Sequence, residues 1–214
     1  MIKSRQEIKA DAKAAMKEQR GTSILTPVIL YVIVLGGAIF QFIPFIGGLL
    51  VSLTSFFIDS PLAVGVGGVF IKIYRREYTT ASEIFSAFKV NYLRKVGGMA
   101  WMYLFTFLWT LLFIIPGIIK MLSYSMTPFI LADCPNVTAK EALKLSMRMT
   151  KGYKLQLFVM FLSFTGWYIL GLLTLGILHI VFVNPYLYTT YAGYYVEIKE
   201  QAIADGTISA EEFA

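Results

Sequence analysis

Polar and apolar residues come in long blocks along this chain. Six apolar segments stand out, at about 23–43, 48–71, 96–116, 118–132, 155–173 and 175–196. Most approach the roughly 20 residues an α-helix needs to cross a hydrocarbon core. None shows the alternation of a barrel strand. The pattern therefore predicts an all-α membrane protein with six transmembrane helices. The fourth segment is short, so its complete crossing stays open. The segments pair across tight turns expected at 43–48, 115–118 and 174–177, where proline and glycine break the helix.

A repeat organises these pairs. "TASEIF" at 80–85 resembles "TAKEAL" at 138–143, an offset of 58 residues. Near the same offset Trp109 falls on Trp167, Gly117 near Gly176, and Pro128 near Pro185. A weaker copy opens the chain: Ser4 and Glu7 have the capping-box spacing of Thr80/Glu83 and Thr138/Glu141. The expected units are about 3–72, 79–133 and 137–196 of a single transmembrane domain spanning 1–196. Each would hold a polar amphipathic helix, a span, a tight turn and a proline-interrupted span. Two spans per unit make the copies parallel. Residues 197–214 form a short acidic tail.

Charge then orients the chain. The net charge is +6, and 18 of the 19 lysines and arginines lie before, between or after the pairs, never in the tight turns. By the positive-inside rule both termini and both long loops are expected in the cytoplasm, with the polar opening residues no cleavable leader. Two basic stripes recur at helical spacing: Arg5, Lys9, Lys13 and Lys17, then Lys140, Lys144, Arg148 and Lys151. Apolar residues lie beside each, so these helices are expected to lie along the cytoplasmic interface with cations toward anionic lipid. A plainly solvated helix is the alternative. The basic charge reads as a topology signal, with no nucleic-acid partner expected.

Polar residues inside the apolar segments are few. Asp59, Ser60, Ser125, Thr127 and Asn184 lie just before Pro61, Pro128 and Pro185, and are expected to meet in a central cavity. Proline frees a backbone carbonyl that must find a partner inside the bundle. These polar residues could instead serve only that need. Lys120 lies nearer the outer turn, as a snorkelling residue or a guard of the outer mouth.

The stretches "LLFIIPGIIKMLSYSMTPFILAD", "TAKEALKLSMRMTKGYKLQLFVMFLSFTGWYILGLLTLGI" and "NPYLYTTYAGYY" resemble a bacterial, mostly Gram-positive, integral membrane family catalogued as domain of unknown function 975. More loosely the architecture is similar to the membrane domain of some glycerophosphodiester phosphodiesterases. The resemblance implies a bacterial plasma-membrane location and assigns no catalytic residue.

Neither the lone Cys134 nor the lone His179 makes a metal cluster, and no nucleophile–base pair, nucleotide loop or paired acids appear. No enzyme, cofactor or metal is expected. The first functional expectation is a protein that binds or moves a lipid or small amphiphile. The alternative is an accessory protein that docks another membrane or cytoplasmic protein at its basic loops.

Overall fold

The computed structural model describes residues 2–213. All regular structure among them is helical: α1 Arg5–Glu18, α2 Arg20–Ala38, α3 Gly47–Thr54, α4 Ser60–Tyr74, α5 Ser86–Lys89, α6 Tyr92–Leu112, α7 Ile114–Tyr124, α8 Thr127–Asp133, α9 Ala139–Met149, α10 Lys154–Leu162, α11 Thr165–Leu173 and α12 Asn184–Ala204. Short 3-10 turns lie at Ile39–Phe42, Ala81–Phe85 and Ala210–Phe213.

Among the described residues four helical stretches are long and apolar enough to cross a membrane: Arg20–Phe42, Gly47–Tyr74, Ile114–Asp133 and Lys154–Leu173. Six were expected. The other two, α6 and α12, are 21-residue helices of more polar composition. α6 opens on Arg94, Lys95 and two glycines, and α12 carries five tyrosines before its charged end. The fourth segment is longer than its apolar run suggested, because helix resumes immediately after Phe113. That single extended residue makes the α6–α7 turn, so Pro116 lies in the first helical turn of α7, where a missing N–H costs nothing. At 174–177 the turn falls as expected, with Leu175 and Gly176 both left-handed.

The chain packs at one end and is bare at the other. Phe45, Ile114 and Leu175 at the three hairpin tips are 106%, 72% and 94% exposed. Surface of this kind is compatible with a membrane location. Toward the other end Leu62, Val66, Phe70, Ile130, Leu131, Tyr195 and Ile198 close into a core built from α4, α8 and α12. Two glycines permit the approach. A Cβ on Gly65 would lie 2.2 Å from the Ile84 carbonyl oxygen, and one on Gly193 would lie 2.5 Å from the Tyr74 ring and 2.9 Å from Ile8.

The amphipathic helices help build that core. Ile8, Ala12 and Ala15 of α1, and Ala142, Leu145 and Met149 of α9, are buried among residues of the same chain. The expectation that these apolar faces rest on the bilayer is therefore corrected: protein covers them. Full capping boxes start both helices, at Ser4/Glu7 and Thr138/Glu141. The middle unit departs. Thr80 caps nothing with its side chain, and Glu83 pairs with Lys72 at the end of α4. Glu83 still meets the Thr80 backbone, so half of the capping box remains, and the segment forms a 3-10 turn and the short α5.

Asp133 ties the three core helices together. Its carboxylate accepts two bonds from the Arg75 guanidinium at 2.6 and 3.0 Å, one from Lys199 at 2.7 Å and one from the Tyr195 hydroxyl at 2.8 Å. The bidentate fork and the lysine together give one acid two counter-charges, with the Asp133 side chain only 12% exposed. Arg94 closes the end of α8, donating to the Leu131, Cys134 and Val137 carbonyls.

The helices that reach this core are broken where the prolines predict. Ser55–Asp59 and His179–Val183 are π-helical turns directly before Ser60-Pro61 and Asn184-Pro185. Ser125 and Met126 interrupt α7 and α8 before Pro128. Pro61 cannot donate to the carbonyl four residues back; that carbonyl, on Phe57, accepts instead from the Tyr92 hydroxyl at 2.8 Å. At the second break the fully buried Ser146 accepts from the Met126 N–H at 3.2 Å and donates to the Ser123 carbonyl at 2.7 Å. Helix α9 thus repairs the gap between α7 and α8.

Ser146→Ala removes both bonds and takes the partner of the buried Met126 N–H, while the Thr150 hydroxyl still reaches the Ser123 carbonyl at 3.3 Å. A loss of about 1–3 kcal/mol is expected in thermal unfolding of the detergent-solubilised protein, followed by circular dichroism. Ser52→Ala is the control and should cost little, because Ser52 is exposed and bonds only its own turn.

Candidate functional site

The five polar residues before the prolines fall into three settings. Asp59 ends the first π-turn and lines a groove of about 230 Å³ with Ile33, Val34, Gly37, Thr54 and Ser55. Asn184 also turns to α2, where its side-chain amide donates to the Tyr31 hydroxyl at 2.9 Å. Tyr31 and Val34 are one helical turn apart, so the acid and the amide meet the same helix at neighbouring levels. Ser60 and Thr127 are buried to 1% and 0%, with hydroxyls that find no hydrogen-bond partner. Ser125 bonds back to the Leu122 carbonyl at 2.8 Å, within its own turn. None of the other four lines the Asp59 groove.

Sequence reasoning missed the tyrosines around this level. Tyr103 lies within electrostatic reach of Asp59, and Tyr188 within reach of Tyr31, Tyr103 and Tyr168. A tyrosine on an apolar segment usually reads as an interface anchor, and these four come from α2, α6, α11 and α12, so no local pattern flagged them. His179 packs as a ring against Gly171 and Tyr168. Among the described residues no three His, Cys, Asp or Glu side chains are grouped to hold a metal.

Lys120 has a protein environment. Its ammonium lies 4.8 Å from the centre of the Trp109 ring and 4.0 Å from the Met147 sulfur on α9. The structure thus places it between α6 and α9, away from the Asp59 groove.

The two basic stripes differ in what they face. On α9, Lys140 sits over Trp101, 5.2 Å from the ring centre. Arg148 donates to the Glu212 carboxylate and to the Thr207 carbonyl. Lys144 and Arg148 share a groove of about 260 Å³ with Glu211 and Glu212, and Lys151 shares one of about 640 Å³ with Asp205. The acidic tail therefore docks on this stripe, anchored by the buried Ile208 and Phe213.

On α1, Arg5 is exposed, while Lys9 is half-buried and donates to the Ser163 hydroxyl at 3.0 Å above the Phe164 ring. Lys13 and Lys17 join Arg20 along a groove of about 210 Å³ walled by Met16, Ile24, Val181 and Phe182. No acid lines that groove.

With the geometry described, comparison with known proteins adds one result. A family described as "Protein of unknown function (DUF975)" matches residues 99–202. The match covers just under half of the chain, and over this segment the chain is similar to the DUF975 family. No curated protein and no solved structure matches, so the looser similarity to glycerophosphodiester phosphodiesterase membrane domains has no support. The DUF975 segment holds α7 to α11, Asp133, Lys199 and Asn184. Asp59, Arg75 and the basic groove on α1 lie before it.

The Glu212 carboxyl is held below its ordinary value chiefly by the Arg148 hydrogen bond, then by the Ser209 N–H. A depressed carboxylate contributes stability above its unfolded value, and that contribution is lost as pH falls through the lowered value. The tail should stay docked at pH 7 and loosen only below the ordinary glutamate range of about 4.3. Limited proteolysis of 205–210 should accelerate there, and Glu212→Gln should reproduce that acceleration at pH 7.

Proposed function

We propose that this chain is a six-span plasma-membrane protein of three parallel two-helix units, with both termini cytoplasmic. In this reading it binds or moves a small amphiphile at the level where the second helix of each unit breaks. The role is one of binding, with no catalysis.

The six-span reading draws support from the length of α6, from the π-turn His179–Val183 that extends α12 back toward the third tip, and from the position of every basic loop residue away from the bare hairpin tips. The repeat draws support from three features. Helix breaks precede Pro61, Pro128 and Pro185, matched capping boxes start α1 and α9, and Arg75 and Asp133 pair at a separation of 58 residues.

The observation that carries the functional reading is the Asp59 groove. Its walls are mostly apolar, and Asp59 is its one ionisable lining residue. Such a surface suits an apolar body with a hydrogen-bond-donating or cationic head. An ionisable residue inside a span is expensive, so its retention favours a use. π-helical turns of this kind recur at functional sites.

Two measurements test the reading. Impermeant thiol labelling in a Cys134→Ala background should reach cysteines at 46 and 175 from outside, but not at 90 or 145; outside labelling at 90 or 145 would overturn the topology. Native mass spectrometry of the protein extracted from its membrane should show a retained small amphiphile that Asp59→Asn loses. Retention of a second polypeptide and no amphiphile would favour the accessory reading.

A further inference from the structure

We propose that the groove between α1–α2 and the π-turn His179–Val183 is a binding site for an anionic phospholipid. Lys13, Lys17 and Arg20 would hold the phosphate, and an acyl chain would run along Val181 and Phe182. The inference goes beyond the Asp59 reading and does not depend on it.

Charge bookkeeping on α1 singles out these three cations. The acids of this helix are engaged elsewhere: Glu7 caps its N-terminus, Asp11 pairs with Lys3, and Glu18 pairs with Arg76. Among the described residues Lys13, Lys17 and Arg20 form no ion pair, and all three are exposed along one groove. The comparable stripe on α9 already faces Glu211, Glu212 and Asp205. The uncompensated positive charge therefore gathers at the α1–α2 groove.

The opposite wall decides the kind of anion. Val181 is 41% exposed, and Leu25, next to Ile24 in sequence, and Ile177, one turn before Val181, are exposed at 53% and 66%. These residues belong to, or adjoin, segments suited to lipid. A groove with cations on one rim and exposed membrane-type apolar surface on the other complements a molecule that is anionic at one end and aliphatic along its length. A soluble anion would leave the apolar wall unused. Lys and Arg at the membrane surface are also those for which anionic headgroups supply the counter-charge.

The test uses the full chain in phosphatidylcholine nanodiscs, with a fluorescent phosphatidylglycerol as probe. The expected result is saturable binding. The Lys13→Gln/Lys17→Gln/Arg20→Gln variant should weaken it by about fivefold per cation, on the order of a hundredfold together. Removing the same charge from α9, in Lys140→Gln/Lys144→Gln/Lys151→Gln, should leave it within about twofold, because diffuse attraction alone falls with net charge. Asp59→Asn should also leave it unchanged, which separates this site from the amphiphile reading. All substituted cations are surface residues, and unchanged circular dichroism would show that the variants fold. Equal weakening by both triple variants would overturn the site in favour of diffuse surface charge. Equal binding of soluble glycerophosphate would overturn the lipid assignment. Binding of a phosphatidylcholine probe as tight as that of phosphatidylglycerol would overturn both.

Discussion

Asp133 is the point on which the packed end of this protein closes. Three helices that begin at prolines, α4, α8 and α12, each send one group to it or carry it: Arg75 just past α4, Asp133 on α8, and Lys199 with Tyr195 on α12. The sequence separations are 58 and 66 residues, so one side chain spans most of the chain's length. A half-buried carboxylate with two cations is stable only as a set. Removing the acid leaves Arg75 and Lys199 facing each other without a counter-charge, a much greater loss than the net worth of the pair. Around this set the apolar packing is dense, and Cys134 fills the space beside Tyr195 and Lys199 as a buried free thiol.

The same helices are weakest where the prolines enter, and the rest of the fold answers that weakness. A carbonyl freed in an apolar setting must find a donor. Tyr92 supplies one to Phe57, and Ser146 supplies both a donor and an acceptor to the second break. This gives α9 a reason to be drawn into the bundle that its basic stripe alone does not suggest. One face of the helix is used up in repair and packing, and the other meets the acidic tail. On α1 the equivalent outward face has no such cover.

Much of the fold was legible because its signals are local. Apolar run length marked the helices, proline marked the breaks at Pro61, Pro128 and Pro185, and Ser-x-x-Glu spacing marked the starts of α1 and α9. Failures came where a distant partner decided the outcome. Glu83 has the spacing of a capping residue and meets the Thr80 backbone, yet it is shared with Lys72 and the Thr80 side chain returns no bond. Ile8 and Leu145 look like surfaces for lipid, yet α4 and α12 take the first and neighbouring core residues the second. Arg75, Asp133 and Lys199 read as ordinary loop and helix-end charges, since no local pattern announces a contact between residues so far apart. The candidate site was legible only in part: Asp59 and Asn184 were marked by their cost inside an apolar run, while Tyr31 and Tyr103 were hidden by the many other aromatics.

The central claim is that one carboxylate couples the ends of three proline-broken helices. A double-mutant cycle on Arg75→Gln and Asp133→Asn tests it most directly, with unfolding free energies measured on the detergent-solubilised protein. The account predicts a coupling of about 2 kcal/mol, so that the double variant is little worse than Asp133→Asn alone. Additivity of the two substitutions to within about 0.5 kcal/mol would contradict it.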